Sequence, residues 1–493
     1  MTYFLTEQFD TVARHAGAHP AVVDEGTTLS YDHLLRWSEA ISTQLHRHRQ
    51  IDGRRVALVL PNSAAFVAAF FAVSRVGGIV APLNVEYRSQ ELKYYLADID
   101  PTAILVSPAA INPVREAIEH FAQQPALFLL NAPGTCETLG LGDAQSSPPS
   151  SVASDQPLLL LYTSGSTGQP KRVIRTHAHL RAETETLRTL FHISSADRFL
   201  GAAPFCHVNG LVRSMLTATL GGATLYPIRE FARRTVLQLI SRERLTFFGG
   251  VPQMFIILAQ TPSRDAVDLS SLRIAFSSSA SLTPRDNREF HRVYGVPIRQ
   301  LYGSTETGTI SYNDHPQLEE HLASVGQPLP GITLAVSDED GKQLSPGVEG
   351  EILVSSPFAI SSYEGNVTAT QKSFRDGFYL TGDLGCIDPD GYVTLSGRKS
   401  LMINRGGYKV NPYEVEEAIR QYPKVADVVV VGVPGPYGDD VIRCVVVPSA
   451  PCTAEEIVLY CRNQIAAYKI PSRIEFRESL PKSPTGKIRR NSL

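Results

Sequence analysis

An apolar strand followed at once by a loop of glycine, serine and threonine restricts the fold of this chain more than any other feature. Residues 157–161 (PLLLL) are typical of a buried strand. Residues 162–171 (YTSGSTGQPK) then combine four serine and threonine hydroxyls, two glycines and a lysine. The glycines let backbone N–H groups approach an anion, the hydroxyls add donors, and Lys171 supplies a positive charge. The pattern predicts a phosphate-binding loop at the end of a strand.

This loop differs from the common P-loop, in which Gly-Lys-Ser/Thr follows a four-residue gap. Here Pro170 precedes the lysine and Arg172 follows it. Taken alone, residues 162–171 could also be a polar surface loop, because short Gly/Ser motifs recur by chance. Motifs farther along the chain favour the phosphate-binding interpretation.

The composition indicates a soluble globular protein with two or more domains. The 493 residues are 43% apolar and 19% charged, and the formal net charge of −3 predicts no DNA or RNA partner. The six cysteines have neither a CxxC pair nor zinc spacing, which predicts reduced thiols in a cytoplasmic protein. We expect no signal peptide and no membrane span, because no apolar run approaches the ~20 residues that a span requires.

Alternating strand and helix patterns predict an α/β fold. Apolar strands at 55–60 and 78–82 enclose a helix at 63–76, which is typical of parallel sheets covered by helices. Turn-and-strand patterns at 335–354 and 388–395 predict an antiparallel β subdomain.

The pattern changes after Arg398. Helices at 412–421 and 454–465 alternate with strands at 425–432 and 474–477, which predicts a compact α+β module. We therefore predict two domains.

The first predicted domain is a large multi-subdomain N-terminal domain, residues 1–398, with parallel sheets and the β subdomain. The second is a small mobile C-terminal domain, residues 399–493. The segment 134–157 is rich in Ser, Pro and Gly and is interpreted as a surface linker.

Motifs in a fixed order resemble those of the adenylate-forming superfamily, which includes acyl-CoA synthetases, stand-alone adenylation domains and luciferases. The resemblance covers essentially the whole chain and is closest to the acyl-CoA synthetase branch. The motifs are YTSGSTGQPK at 162–171, YGSTE at 302–306, YLTGD at 379–383, GR at 397–398 with NRGGYKVNPYEVE at 404–416, and PTGK at 484–487.

The resemblance implies a two-step reaction. A carboxylate attacks the α-phosphorus of ATP to give an acyl-adenylate and pyrophosphate, and a thiol then displaces AMP. Both reactants of the first step are anions, so charge neutralisation should dominate catalysis.

The implied phosphate contacts come from the loop and from Lys171. The residues that would hold the β- and γ-phosphates are Thr163, Ser164, Gly165, Ser166, Thr167, Gly168 and Lys171. Glu306 and Thr163 would bind Mg²⁺, and Thr305 would contact the α-phosphate. The alternative for Thr305 and Glu306 is an exposed turn after a strand.

The implied nucleoside contacts are spread over three motifs. Tyr302 would face adenine, with Ser279, Ala280 and Gly303 near it, although Tyr302 could also be a core tyrosine. Asp383 would accept hydrogen bonds from the ribose hydroxyls, as an ionised carboxylate can, and Arg398 would reach the ribose and phosphates. A turn cap and a surface charge pair are the respective alternatives for these two residues.

Lys487 is the implied catalytic lysine of the C-terminal domain, and its alternative is a solvated tail. In the family this lysine contacts the carboxylate and α-phosphate, and the domain then rotates for thiol transfer, a hinge motion. The family usually has Asp or Lys two residues after the hinge arginine, whereas this chain has Ser400. Any charge contact made by the usual residue is therefore absent at that position.

The thiol acceptor is either CoA or a phosphopantetheinyl carrier protein. Gly406 and Gly407 would let the pantetheine arm pass near the backbone, and Tyr437, Tyr468 and Lys469 could contact the CoA nucleotide. Both acceptors would use the same tunnel, and the style of this loop favours CoA.

The acid pocket is expected around the segment 203–210 (APFCHVNG). His207 would lie beside the reacting carboxylate, although it could equally be a core histidine. The implied pocket residues are His207, Val208, Val212, Gly249, Gly250, Val251, Ser278 and Gly303. Amino-acid-activating members usually place an aspartate here, and no acidic residue occurs between Ala202 and Thr219. We therefore expect an acid without an α-amino group.

The serine-rich segment 275–282 stands where many members carry Gly-Gly-Ala. This version, like the Asn-Arg-Gly-Gly loop, resembles a subgroup that includes oxalate–CoA ligases. A small dianion needs a cation in the pocket, and Arg213 is the candidate, but the direction of its side chain cannot be read from the sequence. Apolar neighbours fit an aliphatic or aryl acid equally well.

The sequence therefore predicts an ATP- and Mg²⁺-dependent acid–thiol ligase, cytoplasmic and either monomeric or homodimeric. One alternative is a ligase that loads a carrier protein. Another is a non-catalytic nucleotide-binding protein, which the presence of Lys171, Glu306, Asp383 and Lys487 disfavours.

Overall fold

The protein forms two compact units. The computed structural model describes residues 5–48, 51–131, 136–139, 155–164, 170–260, 267–405, 408–435, 440–482 and 488–493. The first unit comprises the described residues of Met1–Tyr312, Leu329–Ile332 and Ser355–Phe374, and the second those of Asn313–Pro328, Thr333–Val354 and Arg375–Leu493. The β-subdomain strands thus group with the C-terminal residues, and the functional boundary at 398/399 stays a prediction.

The first unit contains two sheets with helices. Its strands are β1 (Pro20–Asp24), β2 (Thr27–Ser30), β3 (Arg55–Val59), β4 (Ile79–Pro82), β5 (Ala103–Val106), β6 (Ala126–Leu129), β7 (Glu137–Leu139), β8 (Pro157–Ser164), β9 (Pro170–Thr176), β10 (Arg198–Gly201), β11 (Thr224–Pro227), β12 (Phe247–Gly250), β13 (Ile274–Ser277), β14 (Arg299–Ser304) and β15 (Gly308–Tyr312). Its helices are α1 (Leu5–Ala16), α2 (Tyr31–His48), α3 (Ala64–Arg75), α4 (Ser89–Ile99), α5 (Ile111–Ile118), α6 (His177–Leu190), α7 (Thr217–Leu220), α8 (Arg233–Glu243), α9 (Pro252–Ala259), α10 (Pro284–Tyr294) and α11 (Val367–Ser373).

The sheet that carries the phosphate-loop strand has the order β7-β6-β5-β3-β4-β8-β9. Its five inner strands pair in parallel, and the pairs β6/β7 and β8/β9 at the two edges are antiparallel. Strands β4 and β5 are buried along their whole length, as expected for parallel strands covered on both faces. The predicted parallel sheet is confirmed.

Helix α3 follows β3 as predicted. The Ser63 hydroxyl accepts a hydrogen bond from the Phe66 backbone N–H at 3.2 Å, so Ser63 is the N-cap. Small alanines alternate with Phe66, Phe70 and Phe71 in a helix that is almost entirely buried. A helix that is apolar on all sides is typical of a core position.

The second sheet of this unit places several predicted pocket residues at one edge. Its order is β2-β1-β11-β10-β12-β13-β14-β15, and β1, β11, β10, β12, β13 and β14 pair in parallel. Because the carboxyl ends of parallel strands lie at the same edge, the ends of β12, β13 and β14 are neighbours. Residues 249–250, 278 and 303 lie there.

A π-helix, Asn209–Leu216, follows β10 and leads into α7. The Thr217 N–H donates to the Val212 carbonyl five residues earlier, which is the π-type spacing. At Gly210 the backbone approaches the preceding turn so closely that an added Cβ would lie 2.3 Å from the Ala203 carbonyl oxygen. This wide turn was not predicted from the sequence, and π-helical turns often accompany functional sites.

The second unit contains antiparallel strands and a small α+β module. The remaining strands are β16 (Ser324–Pro328), β17 (Thr333–Ser337), β18 (Gly350–Ser355), β19 (Phe374–Arg375), β20 (Phe378–Ile387), β21 (Val393–Arg398), β22 (Ile403–Arg405), β23 (Tyr408–Val410), β24 (Val425–Pro434), β25 (Asp440–Pro448) and β26 (Arg473–Phe476). Its helices are α12 (Pro412–Arg420) and α13 (Ala454–Arg462). Strands follow the order β17-β18-β20-β21-β16, with antiparallel pairs β18/β20, β20/β21 and β16/β21.

The C-terminal module has a core of its own, as the sequence predicts. Strands β24, β25 and β26 form one sheet, and α12 and α13 supply the apolar side chains that pack on it. Buried Glu416 forms an ion pair with Arg490 at 2.6 Å, which ties the end of the chain to α12.

Strand β9 begins inside the segment predicted as the phosphate loop, and strand β7 lies inside the segment predicted as a linker. Strand β9 carries Lys171, which therefore lies in a strand rather than in the loop, and its several basic residues obscured the pattern. Strand β7 lies inside the segment 134–157, so the linker interpretation is wrong for residues 137–139, which pair with β6. Residues 134–135 and 140–154 lie outside the described part of the chain. Within the described ranges, no helix is both long and apolar enough to cross a membrane.

Gly210→Ala should lower the free energy of unfolding by about 2–3 kcal/mol, because the new methyl group would collide with two backbone carbonyls. Gly295→Ala is the matched control. Gly295 ends α10 with a positive φ and no atom within 4 Å of an added Cβ, so only a backbone cost of ~1 kcal/mol applies. Urea unfolding measures both variants, and equal shifts would contradict the close packing at Gly210.

Candidate active site

The candidate pocket begins at the carboxyl ends of β12 and β13. The Ser278 N–H donates to the Gly250 carbonyl at 3.0 Å, so these two predicted pocket residues are neighbours. At Gly249 an added Cβ would lie 2.4 Å from the ring of Phe276, so the close packing of this ring leaves no room for a larger residue. Val251 is buried directly after them. The structure therefore brings this group of predicted residues together.

Ser279 lies in the left-handed region, with φ of 75°. A non-glycine residue rarely adopts this conformation, and it costs on the order of 1 kcal/mol or more. Many members of the family that this chain resembles carry glycine in this segment. Ser279 therefore has a backbone conformation that favours glycine, and the segment is locally strained there. The same segment is predicted to contact the nucleotide.

The segment before the π-helix contributes His207 and Val208. His207 is half-buried, its N–H donates to the Pro204 carbonyl, and its carbonyl accepts from the Leu211 N–H. The Asn209 amide donates to the Gly250 carbonyl at 3.3 Å, which fastens the π-helix to the end of β12. Asn209 was not among the predicted residues.

Arg213 extends from the π-helix toward the predicted pocket residues. Its Nη1 donates to the Ser278 hydroxyl at 2.7 Å, and its Nε donates to the Thr309 hydroxyl at 3.0 Å. Its Nη2 would lie 2.3 Å from a Cβ on Gly303, so only glycine fits there without a shift. The guanidinium is fully buried. The side chain of Arg213, whose direction could not be read from the sequence, therefore points toward Ser278 and Gly303.

A buried ionic cluster of Arg175, Glu183, Arg213 and Thr309 lies behind this pocket. Glu183 accepts from Arg175 Nη1 at 2.7 Å and from both the N–H and the hydroxyl of Thr309, at 2.8 and 2.7 Å. Burial acts to raise the pKa of Glu183, but the two arginines and the Thr309 hydrogen bond outweigh it and hold this pKa below its usual range. Burial lowers the pKa of Arg213 to about 10, so it stays charged at neutral pH.

The predicted phosphate and metal residues meet around Tyr363. The Tyr363 hydroxyl donates to Glu306 Oε1 at 2.9 Å, and the Lys171 ammonium lies 4.5 Å from the Tyr363 ring centroid. Thr163 is paired with Lys171 across β8 and β9. Glu306 is buried, and the adjacent Thr305 is half-buried in the turn after β14, which is not the exposed turn of the alternative. Tyr363 was missed, because a lone tyrosine outside the motifs gives no signal.

Tyr302 is buried, a placement consistent with both interpretations that the sequence left open. Ala280 is exposed and follows the strained Ser279. The side chain of Ser164 and residues Gly165, Ser166, Thr167 and Gly168 of the phosphate loop lie outside the described part of the chain, as do Gly406, Gly407, Tyr437 and Lys487. Their predicted roles stay predictions.

In the second unit, Asp383 and Arg398 are cross-strand neighbours on β20 and β21. Arg398 Nε donates to Asp383 Oδ1 at 2.7 Å, and the Asp383 N–H donates to the Thr381 hydroxyl. Ser400 is exposed in a 3₁₀ turn, and the preceding Lys399 forms an ion pair with Glu351 at 3.0 Å. Lys399 therefore makes a charged contact one residue before position 400, where members of the family usually have a charged residue.

The surface predicted for the thiol acceptor contains a tyrosine pair. The rings of Tyr408 and Tyr468 stack with centroids 4.4 Å apart, and Tyr408 is exposed. Lys469 forms an ion pair with Glu414. An exposed aromatic face next to a lysine is chemically suited to a nucleotide, because it offers both stacking and positive charge.

Comparisons with known proteins agree with these features. The family model of AMP-binding enzymes matches residues 9–364, and that of the AMP-binding enzyme C-terminal domain matches residues 414–487. The oxalate–CoA ligase of Arabidopsis thaliana is 33% identical over 450 residues, covering 89% of this chain and 87% of that protein. The indoleacetate–CoA ligase of Aromatoleum aromaticum is 32% identical over 502 residues, covering 99% and 97%. ATP-bound MatB from Rhodopseudomonas palustris superposes with a TM-score of 0.89 at 27% identity, covering 99% of this chain and 98% of that one.

The chain belongs to the AMP-binding enzymes, that is, to the adenylate-forming superfamily. Within it, the chain falls in the acyl-CoA synthetase branch and is an AMP-forming acid–thiol ligase. The predicted family and fold class are confirmed.

Glu183→Gln should lower the free energy of unfolding by about 3–5 kcal/mol, because it leaves two buried arginines without their carboxylate. Because the folded-state pKa of Glu183 lies below its unfolded value, its contribution is present at neutral pH and is lost as the pH falls through the folded-state pKa. The free energy of unfolding of the Glu183→Gln variant should therefore fall less at acidic pH than that of the wild-type protein.

The control is Glu185→Gln on the same helix, which removes only a half-exposed i,i+4 pair with Arg181 and should cost less than ~0.5 kcal/mol. Urea unfolding of both variants from about pH 2.5 to about pH 7.5 compares them. Similar losses at pH 7.5 would show that the buried cluster does not depend on Glu183.

Proposed function

We propose that this enzyme converts ATP and a carboxylic acid without an α-amino group into an acyl-adenylate, and transfers the acyl group to CoA. The proposal rests on the contacts of Tyr363 with both Lys171 and Glu306. Thr163, near the end of the phosphate-loop strand, pairs with Lys171 across β8 and β9. A cation, a buried carboxylate and a hydroxyl in one place suit the binding of a nucleoside triphosphate.

In the proposed first step the acid attacks the α-phosphorus, and pyrophosphate leaves. Lys171 and the loop hydroxyls would neutralise the β- and γ-phosphates, while Thr305 would hold the α-phosphate. Placing positive charge where the leaving group gains negative charge lowers the barrier, because the donors are fixed in a largely buried site. His207 would lie at the entrance to the acid pocket and orient the carboxylate.

Glu306 fits a magnesium ion that arrives with the nucleotide. Its carboxylate is buried, and the Tyr363 hydroxyl orients it through Oε1. Among the described residues no three acidic, histidine or cysteine side chains are grouped as a metal cage. Mg²⁺ commonly binds one or two protein carboxylates together with substrate phosphates and water. When bound by Glu306 and Thr163, the ion would neutralise phosphate charge.

Asp383 is proposed to accept hydrogen bonds from the ribose hydroxyls. Arg398 and the Thr381 side chain hold the Asp383 carboxylate and backbone in place. A carboxylate held in place by an arginine is a strong acceptor for two neighbouring hydroxyls. Tyr302, Gly303, Ser279 and Ala280, which lie in the first unit, are separately proposed to contact adenine.

The proposed acid lacks an α-amino group because an ammonium group would need a carboxylate near His207. Between Ala202 and Thr219 the chain has none, and the charge nearest Ser278 is the guanidinium of Arg213. A buried positive charge there would repel an α-ammonium group. We further expect a cytoplasmic monomer or homodimer.

Lys487→Ala should lower the rate of adenylate formation from acid and ATP by about 10²-fold or more, because it removes the positive charge proposed to contact both reactants. Thiol transfer from a supplied acyl-adenylate should change less than about threefold. Single-turnover assays of each half-reaction measure the two rates. Equal losses in both would contradict the proposal that residues 399–493 use different faces in the two steps.

The proposed activity is tested by pyrophosphate release over a panel of aliphatic, aryl, dicarboxylic and amino acids, each with ATP, with and without CoA. We expect repeated turnover only when CoA is present, and none with amino acids. A single turnover in the presence of CoA would indicate a carrier-protein thiol instead, which a phosphopantetheinylated carrier protein would then restore. No pyrophosphate release with any acid would contradict the proposed function.

A further inference from the structure

We infer that Arg172 and Glu364 are positioning residues of the proposed phosphate site. With Arg55 and Asp98 they form a group of four charged residues, the loop-end cluster, at the strands that enter and leave the phosphate loop. The inference rests on the proposed function. The cluster would act through Lys171, which it holds in place, rather than by touching ATP.

The loop-end cluster meets β8 and β9 one residue away from the predicted phosphate contacts. Tyr162 on β8 and Arg172 on β9 are cross-strand partners. The next pair toward the loop is Thr163 with Lys171. Successive side chains on a strand point to opposite faces of the sheet. A contact that fixes Arg172 on one face therefore also fixes the backbone that presents Lys171 on the other.

Asp98, near the end of α4, connects the two strands. The Tyr162 hydroxyl donates to Asp98 Oδ2 at 2.6 Å, and Arg172 Nη1 donates to the Asp98 carbonyl at 3.3 Å. Arg172 Nη1 also lies 3.7 Å from Asp98 Oδ1. Burial, followed by the hydrogen bond to Asp98, raises the pKa of Tyr162, so this hydroxyl stays protonated and donates. One aspartate thus holds both the strand that enters the loop and the strand that leaves it.

Glu364 holds β9 from another direction. Its N–H donates to the Arg172 carbonyl at 3.1 Å. Its carboxylate forms ion pairs with Arg172 Nε at 3.1 Å and with Arg55 Nη2 at 2.9 Å. At the next residue, Gly365, φ is 69° and an added Cβ would lie 2.8 Å from Arg172 Nη2. Both the backbone and the side chain of Glu364 therefore fix its position relative to β9.

Tyr363, the residue before Glu364, joins the cluster to the proposed site. Its ring lies 4.5 Å from the Lys171 ammonium, and its hydroxyl donates to Glu306 Oε1 at 2.9 Å. Each partner of this cation–π contact is directly followed in the chain by a residue of the loop-end cluster. Fixing the cluster therefore fixes the lysine beside the carboxylate proposed to bind Mg²⁺.

A role in stability alone explains less of this arrangement. Between 24% and 43% of the side-chain surface of Arg172, Glu364 and Asp98 is accessible to solvent. Ion pairs as exposed as these contribute little to stability. They do fix direction, because the planar fork of an arginine matches carboxylate and carbonyl acceptors in few orientations. Direction matters in a catalytic site, where a shift of ~1 Å can slow a reaction by about 10²-fold.

The test separates phosphate contacts from nucleoside contacts by comparing two ligands. α,β-Methylene-ATP carries the β- and γ-phosphates that Lys171 is proposed to hold, and AMP lacks them. With Mg²⁺ present, Arg172→Met should raise the dissociation constant of α,β-methylene-ATP by about 10-fold, because a charge-assisted contact is weakened, and that of AMP by less than about twofold. Isothermal titration calorimetry measures both constants. Arg172→Lys should recover part of the loss, because the charge returns without the fork.

Glu364→Gln should show the same selective loss. Its matched control is Glu475→Gln, which removes one partner of a similarly exposed ion pair with Arg443 and should leave both dissociation constants unchanged. Thermal unfolding, with an expected shift of less than about 3 °C, checks that each variant is folded. If Arg172→Met does not fold, Glu364→Gln and Arg172→Lys still decide.

Two results would overturn the inference while leaving the proposed ligase activity intact. One is an unchanged affinity for α,β-methylene-ATP in the folded variants, and the other is an equal loss of affinity for both ligands. Wild-type protein that binds neither ligand would instead contradict the proposed function.

Discussion

The ion pair between Glu183 and Arg175 is the interaction on which the rest of the site depends. Through Thr309 it extends to Arg213, so one buried network connects β9, α6, β15 and the π-helix. Each of these elements also carries or borders a proposed functional residue, beginning with Lys171 on β9. A buried ionic network favours one arrangement of its elements, because removing the carboxylate of Glu183 would leave two buried arginines without it.

The segments that were predicted as strands and helices have strong apolar patterns, whereas β10 to β13, whose ends carry part of the candidate pocket, were not predicted. Ser63 marked the start of α3, and the Asp-Pro-Asp-Gly turn before β21 formed as expected. Strand β9 was missed because lysine and arginine side chains interrupt its pattern. The π-helix could not be predicted. The tightly packed Gly210 lies in it, but one glycine does not distinguish a π-helix from an α-helix in a sequence.

The site could be predicted only where residues belong to contiguous motifs. Glu306 and Asp383 were found in this way, whereas Tyr363 and Thr309 act through contacts that join distant parts of the chain. One signal was available for Glu183, which falls on the same helical stripe as buried Leu180 and Leu187. A carboxylate on an apolar stripe indicates a buried partner, although the sequence could not indicate which arginine that partner would be.

The π-helix sets the direction of the Arg213 side chain through the backbone. In an α-helix each residue advances by about 100° around the axis, so losing one residue before Arg213 would swing its guanidinium away from Ser278 and Gly303. A related protein could therefore keep every pocket residue and still bind a different acid, if its helix had one residue fewer at this turn.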